Sequence, residues 1–140
     1  MKTKINVLFA LISEDGKILL QHKTHDYAFH PNGWAIFGGA VEKGETPEQA
    51  AHREAKEELG IELTELKFVK QFDFVESNQQ NLRFFVFQTP LRHSVEQLKK
   101  QLTEGAGLAL FNEKEIETLD LLRRHREMLS EIFKQVVHEK

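Results

Sequence analysis

Three glutamates, Glu54, Glu57 and Glu58, have a spacing that could serve metal-assisted chemistry. In a helix, residues at positions i, i+3 and i+4 share one edge, so this spacing gathers three carboxylates. Gathered anions repel one another unless a cation joins them, and carboxylate oxygens suit Mg²⁺ or Mn²⁺. A solvated helix face is the simpler alternative, and the spacing alone does not exclude it.

The glutamates belong to the most acidic part of the chain. Residues 42–65 contain eight Glu against three basic residues, a net charge of −5, whereas the whole chain has a formal charge of −3. A pI near 6.2 argues against a protein that binds a nucleic-acid polymer through wholesale counterion release. A small nucleotide remains a suitable ligand, because one metal-filled pocket can reverse the local charge.

The neighbouring residues predict a helix that presents these carboxylates. Thr46 is suited to cap the helix, Pro47 to its first turn and Gln49 to a capping box. Gly60 is suited to end the helix after Leu59.

Hydrophobic periodicity predicts the remaining elements. In chain order they are a β-hairpin over 5–20, a loop over 22–33, a short apolar piece over 34–37, a second hairpin over 68–87, a short buried strand over 105–111, a short helix over 113–119 and a closing amphipathic helix over 121–136. Residues 94–102 fit either a short helix or an irregular connection.

Length and composition indicate a single domain over residues 1–140, because 140 residues, 40% of them hydrophobic, can bury a core. The longest nearly apolar run, residues 7–12, is far too short to cross a membrane, so we expect no membrane partner. The sequence contains no cysteine, which excludes a disulfide scaffold and favours a reducing compartment. We therefore expect a cytoplasmic location.

One longer pattern surrounds the glutamates: Gly39, five residues, Glu45, seven residues, and then the run from Arg53 to Ile61, Arg-Glu-Ala-Lys-Glu-Glu-Leu-Gly-Ile. It resembles the signature box of the Nudix hydrolases, G-x5-E-x7-R-E-U-x-E-E-x-G-U, in which U is apolar. The resemblance implies an α+β fold, the Nudix-type α/β/α sandwich with a mixed central sheet. It also implies an enzyme that uses Mg²⁺ or Mn²⁺.

The same resemblance implies roles for individual residues. The metal ligands would be the carboxylates of Glu54, Glu57 and Glu58 and the carbonyl of Gly38, and one of these carboxylates would handle the proton in catalysis.

Other acidic and basic residues would assist. Glu45 and Arg53 would form a supporting ion pair in the catalytic site. Glu104, in the Glu-Gly pair after the second hairpin, would act as general base or extra ligand, with Glu76 as the reserve candidate.

The sequence also offers candidates for residues that bind the substrate. Gly39 lets the backbone approach a ligand closely. Trp34, Phe74 and Phe85 are candidates to stack on a base, although aromatic residues in short strands more often belong to the core.

The expected reaction is hydrolysis of a phosphoanhydride bond in a nucleoside diphosphate linked to another group. The favoured substrate is a nucleoside triphosphate, ordinary or oxidised, giving the monophosphate and pyrophosphate. The alternatives are a nucleotide-sugar or ADP-ribose pyrophosphatase and a non-catalytic Nudix-fold module that binds a nucleotide. Members of the family are frequently dimers, so a homodimer also stays open.

Overall fold

The structure is a computed structural model that describes residues 2–103 and 105–139. The predicted catalytic Glu104 lies outside the described residues. The elements are, in chain order, β1 (Lys4–Ile12), β2 (Ile18–His22), β3 (Trp34–Ala35), β4 (Phe37–Ala40), α1 (Pro47–Leu59), β5 (Lys67–Val75), β6 (Asn81–Pro90), α2 (Val95–Gln101), β7 (Gly107–Phe111), α3 (Glu113–Ile116) and α4 (His125–Glu139).

Strand β1 lies inside a mixed sheet. It pairs in parallel with β6 and antiparallel with β2 and β4. Strand β2 also pairs with β3 and β7, and β6 pairs antiparallel with β5. Both predicted hairpins are confirmed, and so is the mixed sheet.

Side chains of β1 alternate between two apolar cores, because successive residues of a strand point to opposite faces. Val7 and Phe9 pack with the small face of α1, which contributes Ala51 among its buried residues. Leu8 packs on the other face with Ile132 and its neighbours in α4. Helices therefore cover both faces of the sheet, which is the expected α/β/α sandwich.

Helix α1 begins and ends as the sequence predicts. The Thr46 hydroxyl accepts a hydrogen bond from the Gln49 backbone N–H at 3.1 Å, and the Gln49 side chain accepts one from the Thr46 N–H at 2.9 Å. Gly60 has a left-handed backbone with φ of 68°, which ends the helix. These caps fix which residues of α1 face the sheet.

The closing helix begins later than its periodicity suggests. Arg124 has φ of 73°, which is incompatible with a right-handed helix, and α4 therefore begins at His125. The preceding segment pairs with β3 instead: the Leu122 N–H donates to the Trp34 carbonyl at 2.9 Å.

Residues 95–101 form a helix, which settles the segment that the sequence left open. No helix in the described part of the chain has the length and apolar character needed to cross a membrane.

Candidate functional site

Arg53 is the centre of a charged cluster at the sheet-facing edge of α1. Its Nε and Nη2 atoms donate to the two carboxylate oxygens of Glu45 at 2.7 and 3.0 Å. Nη2 also donates to the Ala40 carbonyl at 2.9 Å. Nη1 donates to Glu54 Oε1 at 2.8 Å and to Glu57 Oε2 at 3.2 Å. One guanidinium group thus orients three carboxylates and ties them to the end of β4.

The ion pair between Glu45 and Arg53 stays charged over a wide pH range. The Arg53 side chain, followed by the Glu42 backbone N–H, lowers the pKa of Glu45 to about 2. The hydrogen bonds that Arg53 donates to Glu45 likewise raise the pKa of Arg53 above its usual value. Because the folded-state pKa of Glu45 is depressed, the pair's contribution to stability is present above the unfolded pKa of 4.5 and is lost as the pH falls towards 2.

The paired glycines allow β4 to approach its neighbours closely, α1 at Gly39 and β1 at Gly38. A Cβ atom on Gly39 would lie 2.5 Å from the Glu54 carboxylate carbon, and a Cβ on Gly38 would collide with the Val7 carbonyl oxygen. A side chain at Gly39 would therefore have to displace the Glu54 carboxylate, and one at Gly38 would have to displace the backbone of β1. The Glu54 carboxylate therefore lies directly against the backbone of β4.

The three glutamates of the box differ in their surroundings. Glu54 is mostly covered and Glu57 is exposed, and both contact Arg53 Nη1. Glu58 is half-buried at the end of α1. Within residues 2–103 and 105–139, no three acidic or histidine side chains come together as a ready-made cation site. Glu54 and Glu57 nevertheless present neighbouring carboxylate oxygens, the donors that Mg²⁺ and Mn²⁺ prefer, so the donor chemistry fits such an ion.

The segment that leads to Glu104 is attached to α1. The Thr103 hydroxyl donates to the Glu57 carbonyl at 3.1 Å, and the Thr103 N–H donates to the Glu58 carbonyl at 3.2 Å. The reserve candidate, Glu76, pairs with Arg123 at 3.0 Å and with Arg124 at 3.7 Å, away from the Arg53 cluster.

A cleft of about 260 Å³ opens beside the glycines, on the α4 side of the sheet. Gly38 and Gly39 form part of its wall. Three basic residues line it, Lys4, Lys23 and Arg123, and no acidic residue in the described part of the chain does so. The cleft therefore favours an anionic ligand.

Aromatic residues stand at the mouth and on the wall of this cleft. Phe29 is 83% exposed and packs edge-on against Tyr27 at 5.6 Å, and both residues line the cleft together with Phe84. A hydrogen bond of 2.8 Å between His30 Nε2 and Asp120 Oδ1 ties the loop that carries Phe29 to the segment before α4. These rings offer flat faces on which a base can stack.

The aromatic residues predicted from the sequence to stack on a base lie elsewhere. Trp34 stacks on His22 at 4.3 Å, Phe74 lies beneath the Arg124 guanidinium at 4.6 Å, and Phe85 packs against the core under α1. None of the three lines the cleft. Tyr27 and Phe29 could have been found from the sequence, because they form an aromatic pair in an otherwise polar loop that precedes the two glycines.

His125 was predicted only as a member of the apolar stripe of α4, yet it lines the cleft. The side chain is buried, and Nδ1 accepts a hydrogen bond from the Ile36 backbone N–H at 3.1 Å. Burial, reinforced by the positive charge of Lys23, lowers the pKa of His125 to about 4. The ring is therefore neutral at physiological pH.

This buried neutral ring gives a stability prediction. Because the folded-state pKa is depressed, the contribution of His125 is fully present above the unfolded pKa of 6.5 and is lost as the pH falls towards 4. We expect the free energy of unfolding to fall by about 3 kcal/mol between pH 7 and pH 4 from this residue. Urea unfolding at several pH values should show that His125→Asn flattens this slope while His93→Asn keeps it. An unchanged slope in His125→Asn would contradict the assignment.

A larger cavity, of about 650 Å³, lies at the far ends of β1 and β6. It is lined by residues such as Ile12, Leu91 and Val136 and does not reach the glycines or the carboxylates of α1. The smaller cleft is therefore the candidate site, since it alone of the two adjoins the charged cluster.

A family model, the NUDIX domain, matches residues 2–132. The chain belongs to the NUDIX domain family. This match covers the whole sheet, α1, the first part of α4 and every residue of the Arg53 cluster.

Related proteins agree with this membership. The chain is similar to nucleoside triphosphatase NudI of Escherichia coli strain K12, with 46% identity over 57 residues. That segment is 41% of this chain and spans only 40% of the relative. Among solved structures, the Escherichia coli ORF135 protein is 28% identical, with a TM-score of 0.75 over 100% of this chain and 94% of that one. Escherichia coli dihydroneopterin triphosphate pyrophosphohydrolase shares the fold at 22% identity, with a TM-score of 0.72 over 96% and 99% of the two chains.

Proposed function

We propose that this chain, acting as one domain, is a metal-dependent Nudix hydrolase that converts a nucleoside triphosphate into the monophosphate and pyrophosphate. One observation carries the proposal. Gly39 lines the basic cleft on one side and touches the Glu54 carboxylate on the other. A nucleoside in the cleft then has its phosphates beside the carboxylates of α1. The similarity to a protein named a nucleoside triphosphatase supports this choice of substrate.

The proposed metal ligands are the carboxylates of Glu54, Glu57 and Glu58 and the carbonyl of Gly38. Two observations support this set of ligands. Carboxylate and carbonyl oxygens are donors that these ions prefer, and the glycines place no side chain between β4 and Glu54. When bound, Mg²⁺ or Mn²⁺ offsets the charge of the pyrophosphate and lowers the pKa of an attacking water.

In the proposed reaction, the oxygen of a water molecule forms a bond to the α- or β-phosphorus while the anhydride P–O bond between these two phosphorus atoms breaks, which releases the nucleoside monophosphate and pyrophosphate. The water proton passes to a carboxylate of the box, with Glu104 assisting. Arg53 and Glu45 act as positioning residues, because their hydrogen bonds fix Glu54 and Glu57. Lys4, Lys23 and Arg123 attract the polyanion, and the rings at the mouth of the cleft stack on the base.

The close approach at Gly39 gives a direct test of this arrangement. Gly39→Ala should lower kcat/KM on the order of 100-fold, because the added Cβ displaces the Glu54 carboxylate, and small misplacements at a reacting centre cost about that much. Gly107→Ala is the matched control, since no atom of the described residues, chain neighbours aside, lies within 4 Å of the added Cβ there. Steady-state kinetics that give equal losses for both variants would contradict the placement of Glu54.

Substrate class is tested with purified protein and a panel of compounds. The panel contains ordinary and oxidised nucleoside triphosphates, nucleotide sugars, ADP-ribose and dinucleoside polyphosphates, each with Mg²⁺, Mn²⁺ or EDTA. We expect the highest kcat/KM for a triphosphate. A higher kcat/KM for ADP-ribose or a nucleotide sugar would overturn the substrate proposal, and binding without turnover of any compound would indicate a non-catalytic nucleotide-binding module.

A further inference from the structure

His125 can offer the cleft only a hydrogen-bond donor. The Ile36 backbone N–H must donate, so Nδ1 of His125, 3.1 Å away, must accept and carries no proton. A neutral imidazole in that state carries its proton on Nε2. Nε2 has no hydrogen-bond partner within residues 2–103 and 105–139, and the ring lines the cleft. The depressed pKa of His125 agrees with a neutral ring.

His125 and Gly39, the glycine that contacts the Glu54 carboxylate, lie apart along the wall of the cleft. Ile36, which anchors the imidazole, and Gly39, which touches Glu54, are three residues apart along an extended segment, or about 10 Å. If the phosphates of a nucleotide lie beside Gly39, its base therefore points towards His125. The edge of the base that faces His125 is then the one remote from the sugar.

Bases differ at that remote edge. Guanine, uracil and thymine present a carbonyl oxygen, which accepts, whereas adenine and cytosine present an amino group, which donates. Apolar residues surround this part of the cleft, among them Leu8, Phe84 and Leu122. Two donors facing each other there would both lack a partner in a place with little water, which is costly.

We propose that His125 Nε2 selects nucleotides whose base carries a carbonyl group at that edge. The inference rests on the proposed function for the orientation of the nucleotide. It adds a specificity-determining residue and names the favoured substrates as guanosine, uridine and thymidine nucleotides.

The test compares GTP with ATP and UTP with CTP by kcat/KM. The wild-type protein should prefer the carbonyl-bearing base of each pair by about 10- to 100-fold, as expected for one directional hydrogen bond to a base. In His125→Asn, the side-chain oxygen can still accept from the Ile36 N–H, but no donor reaches the position of Nε2, so both ratios should approach 1. His125→Gln, whose amide nitrogen reaches that position, should retain part of the preference. His93→Asn, outside the cleft, should match the wild type.

Binding measurements separate this inference from the proposed function. Isothermal titration of GMP, AMP, UMP and CMP requires no turnover and should give the same order of preference. If the wild-type protein hydrolyses no triphosphate but binds GMP over AMP in a His125-dependent manner, the proposed reaction fails and the inference stands. If the wild-type protein hydrolyses triphosphates but treats GTP and ATP alike, or if His125→Asn keeps the wild-type ratios, the inference fails and the reaction stands. If a His125 variant does not fold, the ratios of kcat/KM for GTP over ATP and for UTP over CTP in the wild-type protein still test the inference.

Discussion

Replacing Glu57 with Gln should lower kcat with Mg²⁺ by about 100-fold or more while the protein stays folded. Glu57 is 59% exposed, and its hydrogen bond to Arg53 Nη1 is 3.2 Å long, so little of the fold depends on its charge. The amide keeps the size of the side chain but removes the negative charge that the proposed metal site requires. Losing one charged ligand costs several kcal/mol of transition-state stabilisation, which corresponds to this factor in rate.

Glu48→Gln is the matched control for Glu57→Gln, because Glu48 is an exposed glutamate in the first turn of the same helix. Initial rates at saturating substrate should show the loss only for Glu57→Gln, with circular dichroism and thermal unfolding unchanged for both. Normal turnover by the Glu57→Gln protein would show that Glu57 takes no part in catalysis.

Arg53→Lys should also lower kcat by about 100-fold, although the charge is kept. Arg53 donates to Glu45, Glu54 and Glu57 at once, and an ammonium group cannot reproduce that planar arrangement. The carboxylates then lose their fixed orientation, so more metal should be needed for half-maximal rate. The midpoint of urea unfolding should fall too, because Glu45 and Glu54 are mostly covered and lose hydrogen bonds.

The metal dependence distinguishes a positioning role of Arg53 from a purely structural one. Rates are measured over a series of Mg²⁺ concentrations for Arg53→Lys and for Arg92→Lys, whose arginine forms an exposed pair with Glu65. Only Arg53→Lys should shift the metal concentration for half-maximal rate. A variant that loses stability but keeps the wild-type metal dependence would mean that Arg53 serves the fold alone.

Local sequence was sufficient for the parts of the fold that depend on neighbouring residues. The caps at Thr46 and Gly60 use atoms a few residues apart, so the limits of α1 were predictable. The hairpins likewise follow from alternation and turn residues. The start of α4 was predicted too early because Leu121 has helical spacing but pairs with Trp34 in the structure.

The walls of the cleft could not be predicted in the same way. Consecutive phenylalanines in β6 point to opposite faces, and only the packing of the helices decides that Phe84, and not Phe85, borders the cleft. His125 matches an apolar stripe in the sequence, and its hydrogen bond to Ile36 joins residues 89 positions apart. Such long-range contacts leave no local signal.

The most direct test follows nucleoside triphosphate hydrolysis by ³¹P NMR in wild-type and Glu57→Gln protein, first in EDTA and then after addition of excess Mg²⁺. With the wild-type protein, monophosphate and pyrophosphate signals should appear together only after Mg²⁺ is added, and Glu57→Gln should produce them about 100-fold more slowly. Equal rates in EDTA and Mg²⁺, or release of inorganic phosphate and nucleoside diphosphate as the first products, would contradict it.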